Sequence, residues 1–122
     1  MAKTILVIDD DRLVRRSLDQ YLTEGGFSVT QAVNGKEGLD AALETHPDLI
    51  VTDIRMPEMD GMEFLEQLRK DDWGRTARVI VMSSDDSTTT VNKALEVGVT
   101  FYLSKANLTP DLIAQQVSMA LS

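Results

Sequence analysis

The sequence contains no cysteine, which removes disulfide frameworks, thiolate zinc sites and thiol catalysis from consideration. No apolar run approaches the roughly 18 residues that a membrane-spanning helix requires, so membrane insertion is not expected. Met1-Ala2-Lys3-Thr4 enters a short apolar strand without a signal-peptide pattern, which makes a cytoplasmic location the default expectation. Basic residues are scarce, and 12 of them against 20 acids leave a net charge of −8. Direct binding of nucleic acid needs a basic face to meet phosphates. The one arginine cluster (Arg12, Arg15 and Arg16) is diluted by Asp9, Asp10, Asp11 and Asp19, and it reads as a solvated helix face. Histidine and tryptophan occur once each. His46, at a helix end before Pro47, reads as surface, and Trp73 falls in a loop away from any chemistry. Repeats, linkers and low-complexity segments are also missing. A chain of 122 residues makes one domain, burying roughly two thirds of its unfolded surface without a disulfide or structural metal.

What the sequence does have is centred on Leu49-Ile50-Val51-Thr52-Asp53-Ile54-Arg55-Met56-Pro57-Glu58-Met59-Asp60-Gly61. A short, near-continuous apolar run of this kind reads as a buried parallel strand, and the Pro/Asp-Gly chemistry marks its exit. Asp53 therefore stands at the carboxyl end of a central strand, the edge where open α/β sheets bind ligands. Around it the chain alternates. Ile5-Leu6-Val7-Ile8 is a first strand, followed by a helix from Arg12 to Glu24 whose pairs Leu13/Val14, Ser17/Leu18 and Tyr21/Leu22 predict a wide buried stripe. Gly25-Gly26 stops it.

Phe27 to Ala32 alternates as a second strand, and Asn34 can cap a helix that turns Leu39, Ala42 and Leu43 inward. A third helix with Met62, Phe64, Leu65 and Leu68 follows Gly61. Val79 to Met82 is a fourth strand, a weaker helix with Val91, Ala94 and Leu95 runs from about Ser87 to Val97, and Thr100 to Leu103 is a fifth strand. Thr109-Pro110 opens a last helix, with Ile113, Val117, Ala120 and Leu121 on its buried face. Five βα units in succession predict a parallel sheet covered by helices on both faces.

Polar residues able to do chemistry close four of the five strands: Asp9-Asp10, Asp53, Ser83 and Lys105. In a parallel sheet these ends share one edge. Three carboxylates brought together repel, and one would take up a proton unless a cation intervened. Oxygen ligands with retained waters suit Mg²⁺. With Lys105 as an anion-binding charge and Ser83 as a hydrogen-bond donor, such a site fits phosphoryl transfer onto a carboxylate. Each part has a plainer reading alone. Asp9-Asp10-Asp11 could simply favour the positive end of a helix, Ser83 could be a strand-end hydroxyl, and Lys105 a solvated lysine. Met56, Met59 and Met62 read as adaptable packing.

These residues resemble the receiver domain of two-component response regulators, of the single-domain, chemotaxis-regulator type. The similarity rests on Ile5-Leu6-Val7-Ile8-Asp9-Asp10, Pro47 through Pro57 with Asp60-Gly61, Val81-Met82-Ser83 and Tyr102-Leu103-Ser104-Lys105, which cover nearly the whole chain in order. The resemblance implies a flavodoxin-like (βα)5 fold with strand order 2-1-3-4-5, residues 1–122 forming the receiver without an output domain. It implies that Asp53 is the phosphoacceptor and that Lys105 and Ser83 bind the phosphoryl group. Mg²⁺ (Mn²⁺ as a substitute) would be held by Asp10, Asp53 and the Arg55 carbonyl, with Asp9 acting through water. Ser83 and Tyr102 would form a switch pair, and Arg55 and Asp85 would tune hydrolysis. The donor would be a phosphohistidine on a sensor histidine kinase or phosphotransfer protein, and the output a changed protein-binding surface on the fourth helix, fifth strand and last helix.

One departure is that Ala106 follows Lys105 where the family usually has proline. A cis bond before alanine costs about 3 kcal/mol, so a trans bond is expected. Three rivals remain at this point. A haloacid-dehalogenase-like phosphatase would use Asp9-Asp10-Asp11 but leaves Asp53 unexplained. A phosphorylation-independent interaction module leaves the whole polar set unexplained. A flavin site lacks its glycine-rich phosphate loop.

Overall fold

The structure is a computed structural model that describes residues 2–122. Its elements run β1 (Thr4–Ile8), α1 (Arg12–Glu24), β2 (Ser28–Ala32), α2 (Gly35–Thr45), β3 (Leu49–Thr52), α3 (Gly61–Lys70), β4 (Val79–Ser83), α4 (Thr88–Glu96), β5 (Phe101–Ser104) and α5 (Pro110–Leu121). The strands form one parallel sheet in the order β2-β1-β3-β4-β5. Alternate residues of a strand face opposite sides, which divides the core in two. Leu6, Ile8, Ile50, Val79 and Val81 face Phe64, Leu65, Leu68 and Ala94. Ile5, Val7, Leu49, Val51, Ile80 and Met82 face Leu18, Leu22, Val117 and Ala120.

Each of the five α-helices starts on a side-chain cap. Asp11, Asn34, Asp60, Ser87 and Thr109 each accept a backbone N–H from the first turn. Such caps satisfy donors that have no partner within the helix. The cap of α1 is thus Asp11, which leaves Asp9 and Asp10 to other work.

Three apolar residues expected inside are exposed: Leu13 (78%), Leu43 (37%) and Leu95 (53%). Adjacent residues of a helix point about 100° apart, so a helix lying on a sheet buries only one of each such pair. The core takes Leu18, Leu22, Ala42 and Ala94, and Ser17 also faces solvent. β2 begins at Ser28 rather than Phe27, and β5 at Phe101 rather than Thr100. Among the described residues no peptide bond is cis, Lys105–Ala106 included, and a single 3-10 turn at Lys105–Asn107 carries the chain from β5 toward α5.

The connection from β3 to α3 is closed by two tight approaches. Gly61 donates its N–H to the Ile54 carbonyl at 2.7 Å, and a Cβ placed on it would lie 2.2 Å from the Asp53 carbonyl oxygen. Gly35 donates to the Met59 carbonyl at 2.9 Å, where a Cβ would meet the same oxygen at 2.2 Å. Backbone cannot yield as a flexible side chain can, so overpacking here costs about 1–3 kcal/mol. Gly61→Ala is expected to lower the unfolding free energy by that amount in urea denaturation, with the segment 54–60 displaced. An unchanged midpoint would show that the loop absorbs the methyl freely.

Candidate functional site

The site is assembled by strand register. Ile8 pairs with Thr52 across β1 and β3, so the next residues, Asp9 and Asp53, leave the sheet side by side. Backbone bonds from the Asp53 N–H to the Ile8 carbonyl (3.0 Å) and from the Asp9 N–H to the Ala32 carbonyl (3.1 Å) hold both in place. Asp9 is fully buried and Asp53 nearly so. Asp53 Oδ1 accepts the Ile54 N–H at 2.6 Å, and Asp9 Oδ1 accepts the Asp11 N–H at 2.9 Å. From the end of β5, two strands away from β3, Lys105 Nζ bridges the remaining oxygens at 2.8 Å from Asp53 Oδ2 and 3.0 Å from Asp9 Oδ2.

The protonation energetics follow from this packing. Burial pushes the Asp9 carboxyl above its ordinary pKa, against the opposing pull of the Asp11 amide and Lys105. Burial also acts to lower the Lys105 ammonium, but the bonds to Asp53 and Asp9 outweigh it and leave the group above its usual value. Lys105 therefore stays a cation, and ionising Asp9 carries a cost.

Asp10 is exposed, yet a carboxylate oxygen from each of Asp9, Asp10 and Asp53 lies within 4.8 Å of the others. Three hard oxygen donors, one of them open to solvent, fit a divalent cation that keeps part of its water shell, as Mg²⁺ does.

The far wall of the site is organised by Asp85, in the loop between β4 and α4. Its carboxylate accepts the Ser87 N–H (3.1 Å) and the Thr90 hydroxyl (2.9 Å) and meets the Arg55 guanidinium at 3.4 Å. Ser87, through side chain and amide, then Thr90 and Arg55 hold its pKa down to about 2. Its backbone N–H donates to the buried Ser83 hydroxyl at 3.0 Å, and its carbonyl accepts the Tyr102 hydroxyl. Burial raises the Tyr102 pKa, so it is a neutral donor here. Ser83 and Tyr102 thus meet through the backbone of Asp85, and this hub was not foreseen from the sequence beyond the Arg55–Asp85 pairing. The Ser-x-x-Thr spacing of Ser87 and Thr90 was the available signal. His46 and Trp73 stack face to face, ring centroids 4.3 Å apart, at the opposite end of the sheet and away from this chemistry.

The sequence profile of the response regulator receiver domain matches residues 5–117. The chain belongs to that family. The response regulator MprA of Mycolicibacterium vanbaalenii is 38% identical over 115 residues, which are 94% of this chain and 49% of that protein. MprA of Mycobacterium tuberculosis gives the same values. The chain spans about half the length of the curated relatives it matches. Among solved structures, the chemotaxis regulator CheY4 of Vibrio cholerae superposes with a TM-score of 0.92 at 25% identity, covering 99% of this chain and 100% of that one. CheY in the CheX–CheY–BeF3–Mg²⁺ complex of Borrelia burgdorferi gives 0.90 at 27%, covering 98% and 90%. The observed strand order is that of a flavodoxin-like receiver domain, and family membership sets the phosphatase and flavin readings aside.

In this receiver domain the raised pKa of Asp9 makes a stability prediction. A buried acid whose folded pKa lies above its unfolded value costs stability once ionised and is relieved as pH falls through that range. Asp9→Asn should raise the melting temperature at pH 7 in the presence of a chelator, and the gain should shrink as pH drops toward 4 (about the unfolded carboxylate pKa). A melting temperature lowered at pH 7 but not at pH 4 would mean instead that the Asp9 charge is needed to hold Lys105.

Proposed function

We propose that this receiver domain is a phosphoryl-accepting signalling switch, with Asp53 the acceptor. The observation that carries the reading is the double environment of one buried carboxylate. Asp53 shares a three-carboxylate cluster with Asp9 and Asp10 on one side and is paired with Lys105 on the other. In the transfer the Asp53 carboxylate attacks the phosphorus of a phosphohistidine. A P–O bond forms, the P–N bond breaks, and the imidazole leaves with its electron pair and takes up a proton.

Lys105 would follow the developing charge on a phosphoryl oxygen, since electrostatic stabilisation by fixed cations is the main device for this chemistry. Asp10, Asp53 and the Arg55 carbonyl would hold Mg²⁺ directly and Asp9 through water, Mn²⁺ being an acceptable substitute. When bound, the ion supplies positive charge that offsets the phosphoryl oxygens. The Borrelia burgdorferi relative has Mg²⁺ and BeF3 in the name of its complex, which supports the same site here. The partners would be a sensor histidine kinase or histidine phosphotransfer protein, in the cytoplasm, and residues 1–122 would act without turnover on a separate substrate.

Ser83 would donate its hydroxyl proton to the phosphoryl group. That changes the contacts it shares with Asp85, and Asp85 in turn holds Tyr102 and the start of α4. The α4–β5–α5 face would shift its preferred state, a population change biased by local charge. α4 suits this role, because Ala94 is its one fully buried residue and few buried contacts make an element easy to move.

Intact mass after incubation with Mg²⁺ and a small acyl phosphate should show one phosphoryl adduct on wild type, lost on chelation and absent from Asp53→Ala. No adduct under any condition would leave a binding module that ignores phosphorylation. A second expectation concerns lifetime. The Arg55–Asp85 pair lies across the mouth of the site and would hinder the attacking water. Asp85→Ala and Arg55→Ala should therefore each speed loss of the adduct several-fold, and an unchanged rate would remove the pair from any role in lifetime.

A further inference from the structure

From the structure we infer that Arg15 is a positioning residue for the acidic pair Asp9-Asp10, held in place by Gln31 and Asp19. This inference rests on the metal reading of the site proposed above. Arg15 lies on α1, half-buried, while its neighbours Arg12 and Arg16 are exposed. Its Nη1 donates to the Asp9 carbonyl at 2.9 Å, and its Nε donates to Gln31 Oε1 at 2.9 Å. Gln31 on β2 uses the other end of its amide, Nε2 donating to Asp19 Oδ2 at 2.5 Å. The chain Asp19–Gln31–Arg15 thus ties α1 and β2 to the peptide that joins Asp9 to Asp10.

With that bond every polar group of Asp9 is engaged. Its N–H goes to Ala32, its carbonyl to Arg15, and its two carboxylate oxygens to the Asp11 N–H and Lys105. Asp10 is different. Among the described residues its exposed side chain makes no hydrogen bond, so its direction is set by the peptide that carries it. Fixing the Asp9 carbonyl fixes that peptide, and so keeps the Asp10 carboxylate near those of Asp9 and Asp53. A guanidinium gripping a carbonyl and an amide at once is a rigid fork, a geometry that lysine cannot reproduce.

Charge alone makes the opposite forecast. Removing a cation beside an acidic cluster strengthens its attraction for Mg²⁺. Positioning predicts weaker binding, because groups behind a metal site typically matter at the level of about tenfold in affinity. Calorimetric titration with MgCl2 alone separates the two.

Wild type should bind Mg²⁺, and Arg15→Met should raise the dissociation constant about tenfold. Arg16→Met, which removes the same charge from an exposed position, should leave it unchanged or lower it. Gln31→Met keeps the guanidinium but frees its Nε, so it should weaken binding in the same direction and by less. In the metal-free Arg15→Met variant the Asp11 amide, which bonds Asp9, should exchange with deuterium faster than in wild type. Binding by Arg15→Met equal to or tighter than wild type would overturn the positioning role while leaving the metal site intact. Should that variant not fold, wild-type affinity in Gln31→Met overturns it. Wild type that takes up no Mg²⁺ overturns both this inference and the metal reading beneath it.

Discussion

The ammonium of Lys105, shared between two buried carboxylates, is the contact on which the site depends. Carboxylates about 5 Å apart repel by about 3 kcal/mol per pair at an effective dielectric near 20, and Asp9, Asp10 and Asp53 make three such pairs. One bridging cation makes the arrangement tolerable in the folded chain. The topology exists to deliver it. β5 is separated from β3 by β4, so Lys105 must reach over the end of β4 to touch Asp53 and Asp9. The residue that ends β4 is a small, fully buried serine. A bulkier side chain at Ser83 would have to fit a position with no exposed surface, which gives the serine a packing reason for its size as well as a hydroxyl to offer.

The two loops flanking this bridge are held very differently. Between β3 and α3 the chain is fixed by Gly61 to Ile54, by Gly35 to Met59 and by the Asp60 cap. The two glycine contacts are backbone contacts at distances that admit no side chain, so the loop that carries Arg55 has little freedom. Across the site, the loop between β4 and α4 depends on the contacts of Asp85 with Ser83, Ser87, Thr90 and Tyr102. Hydroxyls and one carboxylate can exchange partners at small cost, whereas a glycine wedged against a carbonyl cannot. One wall of the site is held by wedged backbone and the other by exchangeable polar contacts.

The order of the elements and the residues at the strand ends were legible because both follow from local patterns. Apolar runs of strand length, caps such as Asn34 and Thr109, and polar residues at four strand ends place Asp9, Asp53, Ser83 and Lys105 on one edge with no tertiary knowledge. Leu13, Leu43 and Leu95 were misjudged because helical periodicity states which residues share a stripe, and only the sheet decides how wide a stripe it covers. Arg15 was invisible for another reason. On charge alone it belongs with Arg12 and Arg16, and its distinct role depends on a bond to a carbonyl and on the register that sets Gln31 beside it. Asp85 was legible only as the partner of Arg55, because its bonds to Ser83 and Tyr102 run through backbone groups, which carry no signature in a sequence.

Lys105 also sets a constraint on how the site can change state. It has two anionic partners, and a phosphoryl group on Asp53 would draw it toward new oxygens. The lysine would then share one charge among more anions, and Asp9, fully buried and already raised by burial, would lose part of what keeps it ionised. Two outcomes are available to that carboxyl: it takes up a proton, or another cation takes over part of the lysine's work. The second keeps both remaining carboxylates, Asp9 and Asp10, available as ligands and the first removes one of them. A divalent cation and a phosphoryl group bound there would thus be coupled through Lys105, each favouring the other by the same free energy. Such coupling would need no long path through the protein, because the cation would replace the ammonium group at the carboxylates while the phosphoryl group drew it away.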